Sequence, residues 1–180
     1  MNLRAIKKEP LLPGTFLTIF MDRHVDQVAP CGMNCGICGS YLAGTHDIKN
    51  HGVKMAYCRG CRPRNKSCAL LKKTCQLLAE GKVTFCYECP KFPCKRLTAL
   101  DKRYRERYHM SMLENLSFIK DNGAEAFLQK EEEKWRCASC GGTISCHNGI
   151  CFDCGIARLK EQTLKKSGLY RWDEQPESIQ

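Results

Sequence analysis

The sequence predicts a small, metal-stabilised α+β fold in three parts: a cysteine-rich N-terminal module, a helical middle and a C-terminal zinc-ribbon-like module. Three observations predict it. The 15 cysteines of the 180-residue chain fall in two blocks, Cys31 to Cys94 and Cys137 to Cys154. The stretch 95–134 has no cysteine and repeats apolar residues at helical spacing. The second block consists of two C-x-x-C-G knuckles with ten residues between them. The expected divisions are an N-terminal extension (1–28), a cysteine-rich metal-binding module (29–95), a helical segment (96–134), a zinc-ribbon-like module (135–156), and a C-terminal helix and tail (157–180).

The extension opens with basic residues and an apolar run, Leu11 to Met21, that mimics a signal peptide. Pro13 and Gly14 break the run and no small-x-small cleavage site follows. Pro30 before Cys31 speaks against lipoprotein processing, and no stretch is long enough to span a membrane. Residues 1–20 are read as an extension upstream of a second start at Met21. Reduced thiolates holding metals place the chain in the cytoplasm.

In the N-terminal module, the pairs Cys35/Cys38, Cys58/Cys61 and Cys86/Cys89 are each separated by two residues. That spacing lets a tight turn aim two sulfurs at one point, which suits a metal better than the very small loop of a disulfide. The odd cysteine count points the same way. Cys31, Cys35 and Cys38 are spaced to serve one centre, as three corners of a [4Fe–4S] cube or an open zinc site. The motif matches radical enzymes that use S-adenosylmethionine only in spacing, because no large partial barrel follows. Cys58/Cys61 with Cys86/Cys89 make a tidy four-thiolate set, leaving Cys94 or Cys75 to complete the first. Other divisions of these cysteines into fours remain open, and so does zinc against iron–sulfur. Cys89-Pro90 echoes bacterial ferredoxins. One helix is expected here, capped by Ser67 and ended by Gly81, with Cys68, Leu71, Cys75 and Leu78 on one face. Cys68 and Cys75 are then roughly 10 Å apart along the axis, too far for one zinc, so Cys68 reads as a packed thiol.

In the middle segment, Leu97, Leu100, Tyr104 and Tyr108 form one stripe. Ser111 and Glu114 make a capping-box pattern before a second helix, Gly123 stops it, and a Glu-rich helix runs from Ala124 to Lys134. Leu97, Leu100, Leu116 and Ile119 are the expected buried residues. The stretch 95–108 is basic, with Lys95, Arg96, Lys102, Arg103, Arg105 and Arg107. It reads either as a solvated helix face whose tyrosines pack inward or as a face for nucleic acid or a protein partner.

At the C-terminus, Cys137, Cys140, Cys151 and Cys154 have the spacing of a structural zinc ribbon, a thiolate set that also suits a rubredoxin-like iron. Gly141 and Gly155 follow each knuckle where the backbone turns sharply. Cys146 and His147 lie between the knuckles; His147 reads as packing beside the site, with a ligand swap as the sharper alternative. A last helix is expected over 157–166.

The formal charge of +10 counts cysteines as neutral. Zinc or an oxidised [4Fe–4S] cluster on four thiolates carries −2, so three centres would lower the charge to about +4. Basicity is therefore weak evidence for a nucleic-acid partner. No phosphate-binding glycine loop, hydrolase elbow or paired-carboxylate motif stands out.

The motifs APCGMNCGICGSYLA, CRGCR, LLKKTC, FCYECPKFPC with KRLTALDKRYRERY, and WRCASCGG…CHNGICFDCG together resemble an uncharacterised cysteine-rich family, domain of unknown function 3795, common in anaerobic bacteria and archaea. The resemblance spans about residues 29–156. It implies metal binding by these cysteines and supplies no reaction. Three functions follow: an adaptor or accessory metalloprotein with zinc; an iron–sulfur protein for electron transfer or sulfur delivery; and a metalloenzyme with an open site at Cys31, Cys35 and Cys38.

Overall fold

The structure, a computed structural model, describes residues 26–64 and 75–164. The signal-peptide mimic, Met21, Ser67, Cys68, Leu71 and the tail after 164 lie outside the described residues. In chain order the helices are α1 (Gly39–Thr45), α2 (Cys61–Arg64), α3 (Gln76–Ala79), α4 (Lys95–Tyr108), α5 (Met112–Lys134) and α6 (Ile156–Leu164), with single 3-10 turns at Cys35–Ile37 and Cys86–Glu88.

The β component of the expected α+β fold shrinks to three isolated antiparallel bridges among the described residues, Val28 with Asn34, Arg136 with Thr143 and Ile144 with Cys151. The regular structure of the described residues is otherwise helical. The helix expected through Cys75 also differs. Cys75 is extended (φ −108°, ψ 106°) and caps the four-residue α3, so it cannot continue a helical face from Cys68.

The middle segment follows its apolar spacing. Leu97, Leu116 and Ile119 are buried and Leu100 is partly so. Ser111 accepts from the Glu114 N–H at 3.1 Å, as an N-cap should. Glu114 does not complete the box; its carboxylate meets Arg105 at 3.0 Å. Gly123 sits at φ 86°, ψ 164° and breaks α5 into two helical pieces, the second beginning at Ala124.

Two apolar cores result. The larger gathers Val28, Cys31, Cys35, Phe85 and Cys86 with Leu97 of α4, Leu116 and Phe127 of α5, and Trp135. The smaller packs Leu42, Ile48, Val53 and Met55 against Ile150, Phe152 and Leu159. Residues from beyond 135 therefore complete the packing of the N-terminal module on two sides.

Candidate metal centres

The C-terminal knuckles converge. Cys137, Cys140, Cys151 and Cys154 bring their sulfurs within 4.8 Å of one another, the one such group among the described residues. Cys137 Sγ lies 3.7 Å from Cys154 Sγ, and Cys140 Sγ lies 3.5 Å from Cys151 Sγ. A cation bonded to four sulfurs at about 2.3 Å in a tetrahedron needs sulfurs about 3.8 Å apart, so the set fits one ion. The Cys137 N–H donates to the Gly142 carbonyl at 2.7 Å, and the Ile144 N–H to the Trp135 carbonyl at 2.8 Å. These bonds fold the first knuckle back on itself. The two glycines serve for different reasons. Gly141 has φ 75°, where a side chain is strained. Gly155 has no positive φ, but a β-carbon there would lie 2.5 Å from the Cys151 carbonyl oxygen.

The cysteines of this group are not alike. Backbone N–H groups of Cys140 and Ser139 point at Cys137 and hold its thiol down to about 7. Burial pushes Cys151 up to about 12. The Gly142 N–H donates to Cys140 Sγ at 3.4 Å.

The N-terminal cysteines lie on one loop and on the segments packed around it. Residues 28–35 form a tight hairpin-like loop: the Ala29 N–H donates to Met33 O at 2.8 Å and the Cys35 N–H to Gln27 O at 2.7 Å. Cys31 is near its tip and Cys35 at its base. At the base, the Cys61 N–H donates to Cys35 Sγ at 3.2 Å. The Cys61 thiol beside it, followed by burial, pushes the Cys35 thiol up. Burial, then the neighbouring charges of Cys61 and Cys58, do the same to Cys38. At the tip, the Cys86 N–H donates to the Pro30 carbonyl at 2.8 Å. Cys86 is pushed up to about 12 by burial and by Cys31, Cys75, Cys94 and Cys89 around it. Cys35 and Cys38 thus lie toward Cys61 and Cys58, and Cys31 lies toward Cys86 with Cys75, Cys94 and Cys89.

Cys146 and His147 are placed by the fold. The Cys146 N–H donates to the Ile37 carbonyl at 3.0 Å, between Cys35 and Cys38. The Gly39 N–H donates to His147 Nδ1 at 3.1 Å, which fixes the other ring nitrogen as the proton carrier. Burial lowers His147 to about 4, so the ring is neutral. Its edge contacts Tyr108, with ring centroids 4.8 Å apart. His147 therefore packs against Gly39 and the tyrosines of α4, near Cys61.

The basic helix turns its tyrosines inward, toward His147. Arg105 is engaged by Asp101, Ser111 and Glu114, while Lys95, Lys102, Arg103 and Arg107 remain exposed.

Residue spacing alone did not show three participants. Arg62 donates from Nε to the Val28 carbonyl at 2.6 Å and lies over the Phe85 ring, tying the Cys61 segment to the one bearing Cys86. Tyr104 lies near Cys146, Cys31 and Cys38, and burial drives its phenol up. Gly39 would meet Ser145 Oγ at 3.2 Å if it carried a β-carbon. A sequence signal existed for Gly39: Cys35-Gly-Ile-Cys38-Gly39 is a third C-x-x-C-G.

Among the described residues no helix is long and apolar enough to cross a membrane. Residues 27–99 match the family described as a protein of unknown function, DUF3795. The match covers the N-terminal module and the start of α4, and stops before the C-terminal knuckles. No curated protein and no solved structure matches the chain.

Proposed function

We propose that this chain, whose residues 27–99 match the DUF3795 family, is an accessory metalloprotein in which Cys137, Cys140, Cys151 and Cys154 hold a structural zinc. The convergence of these four sulfurs carries the reading. With four thiolates the ion has no open position, so it does no chemistry on a substrate. Its role is to fix the knuckles, and with them the loop carrying Cys146 and His147, against the N-terminal module.

The metals on Cys31, Cys35, Cys38, Cys58, Cys61, Cys75, Cys86, Cys89 and Cys94 carry the accessory function. These sulfurs are largely buried or half-buried, which suits holding a cofactor more than turning over a bulky substrate. The exposed cations of α4 form the face toward an acidic partner, whether a protein surface or a phosphate backbone.

The test is metal analysis with X-ray absorption at the zinc edge on full-length protein. The expected result includes one zinc bound by four sulfurs at about 2.3 Å, lost in Cys154→Ser. A zinc shell containing nitrogen or water, or full zinc retention in Cys154→Ser, overturns the assignment.

A further inference from the structure

We propose that the cysteines between 31 and 94 hold two iron–sulfur clusters interleaved through one loop, the first on Cys35, Cys38, Cys58 and Cys61, the second on Cys31, Cys86, Cys89 and Cys94 with Cys75 beside it. This rests on reading the chain as a thiolate metalloprotein, and it adds the grouping and the class of cofactor.

The grouping comes from the hairpin-like loop. Bonds across its base, including the Val28–Asn34 bridge, hold Cys31 and Cys35 at different ends. The Cys31 end is fixed from outside. Asn115 of α5 donates to the Gly32 carbonyl at 2.9 Å. Gly32 itself is at φ 83°, with Met112 O only 2.9 Å from where a β-carbon would be. The Cys35 end is held by the Cys61 N–H at its sulfur. Each half then closes on a knuckle of the same form: the Cys38 N–H donates to Cys35 O at 3.0 Å, and the Cys89 N–H to Cys86 O at 3.2 Å. The Cys58 N–H donates to Ser40 O at 2.9 Å, which brings the 58–61 knuckle beside the 35–38 knuckle. A loop shared in this way matches the logic of two-cluster ferredoxins, in which one cysteine of a run serves the other cluster.

The cofactor class comes from size and setting. The C-terminal group is drawn to zinc dimensions and exposes Cys140 and Cys154. The N-terminal groups contain four and five cysteines, and among the described residues only the C-terminal four are drawn together to single-ion dimensions. In a four-iron cube each thiolate binds a different iron, so the sulfurs stand farther apart than around one ion. These groups also lie in or against the larger apolar core, where Cys31 and Cys35 are buried. N–H groups point at sulfur at Cys35 and at Cys89, where the Lys91 N–H donates at 3.4 Å. Such bonds and burial are the means by which proteins set cluster potentials.

The experiment uses full-length protein prepared without oxygen, with iron, acid-labile sulfide and zinc measured together. About eight irons and about eight sulfides per chain are expected beside one zinc. Electron paramagnetic resonance of the dithionite-reduced protein should show two interacting clusters. Cys31→Ser and Cys61→Ser should each lose about half the iron and leave two different single-cluster spectra, with the zinc retained as a sign that the chain is folded. If Cys31→Ser and Cys35→Ser remove the same cluster, the interleaving is wrong. Three zincs and no sulfide would overturn the clusters while leaving the thiolate-metal reading intact; no metal on any cysteine would end both. Should the variants fail to fold, Mössbauer spectra of the wild type decide, since a single cluster environment with four irons contradicts the proposal.

Discussion

Glu131 shows how one side chain responds to burial. It is 3% exposed, on α5, and accepts from Trp135 Nε1–H at 3.1 Å. Burial pushes its carboxyl above the usual range, and the partial opposition of Lys134, Trp135 and Lys130 does not cancel it. Cys146 also faces it. The folded carboxyl therefore binds its proton more tightly than the unfolded one. Between the two pKa values the native state holds more protons, so stability falls as pH rises through that window and stays lower above it. Glu131→Gln keeps an acceptor for Trp135 and removes the charge. The metal-loaded variant should match or exceed the wild type in denaturant midpoint at pH 8, with the advantage shrinking toward pH 5. An advantage that grows toward acid contradicts this account. Nothing in the sequence marked Glu131, because it is one of three consecutive glutamates and only the packed helix distinguishes them.

At the scale of elements, the joint between α4 and α5 rests on a buried carboxylate. Asp101 accepts from the Ser111 hydroxyl at 2.7 Å, the Leu113 N–H at 3.0 Å and Arg105 Nε at 2.8 Å. Burial pushes its carboxyl up, but these donors outweigh burial and hold it below the usual range. That stability is present above the ordinary carboxylate pKa and is lost as pH falls through the folded value. Ser111 was legible as a cap from the sequence. Asp101 was not, because two of its partners, Ser111 and Leu113, lie ten and twelve residues away, beyond the reach of a capping pattern. Ser111→Ala should cost about 1 kcal/mol, the usual loss of a cap. Asp101→Ala should cost about 2–3 kcal/mol, since it leaves the Leu113 N–H and the Ser111 hydroxyl without their acceptor. Urea denaturation of both metal-loaded variants checks the order; equal losses would mean that Asp101 is dispensable to the joint.

Over the whole molecule, the C-x-x-C pairs were legible in the sequence, because a pair is local. How their segments pack was not, because that depends on a hairpin-like loop and on helices far along the chain. The same holds for the C-terminal knuckles. Their convergence was legible from spacing, but their docking was not. The loop between them reaches back, with the Cys146 N–H on Ile37 O at 3.0 Å and His147 Nδ1 accepting from the Gly39 N–H at 3.1 Å. Ile150, Phe152 and Leu159 complete the smaller core with Leu42, Ile48 and Val53. Folding and metal binding are coupled at structural metal sites, so on the proposed reading emptying this one should be felt across the interface. In Cys154→Ser, hydrogen exchange should rise on the order of tenfold or more at the amides of Gly39 and Cys146 and through 42–53, as well as within the knuckles. The amides of α5 near Leu116 and Ile119, buried in the other core, should change less. If faster exchange is confined to 137–154, the knuckles form an independent appendage and the N-terminal cysteines are organised without them.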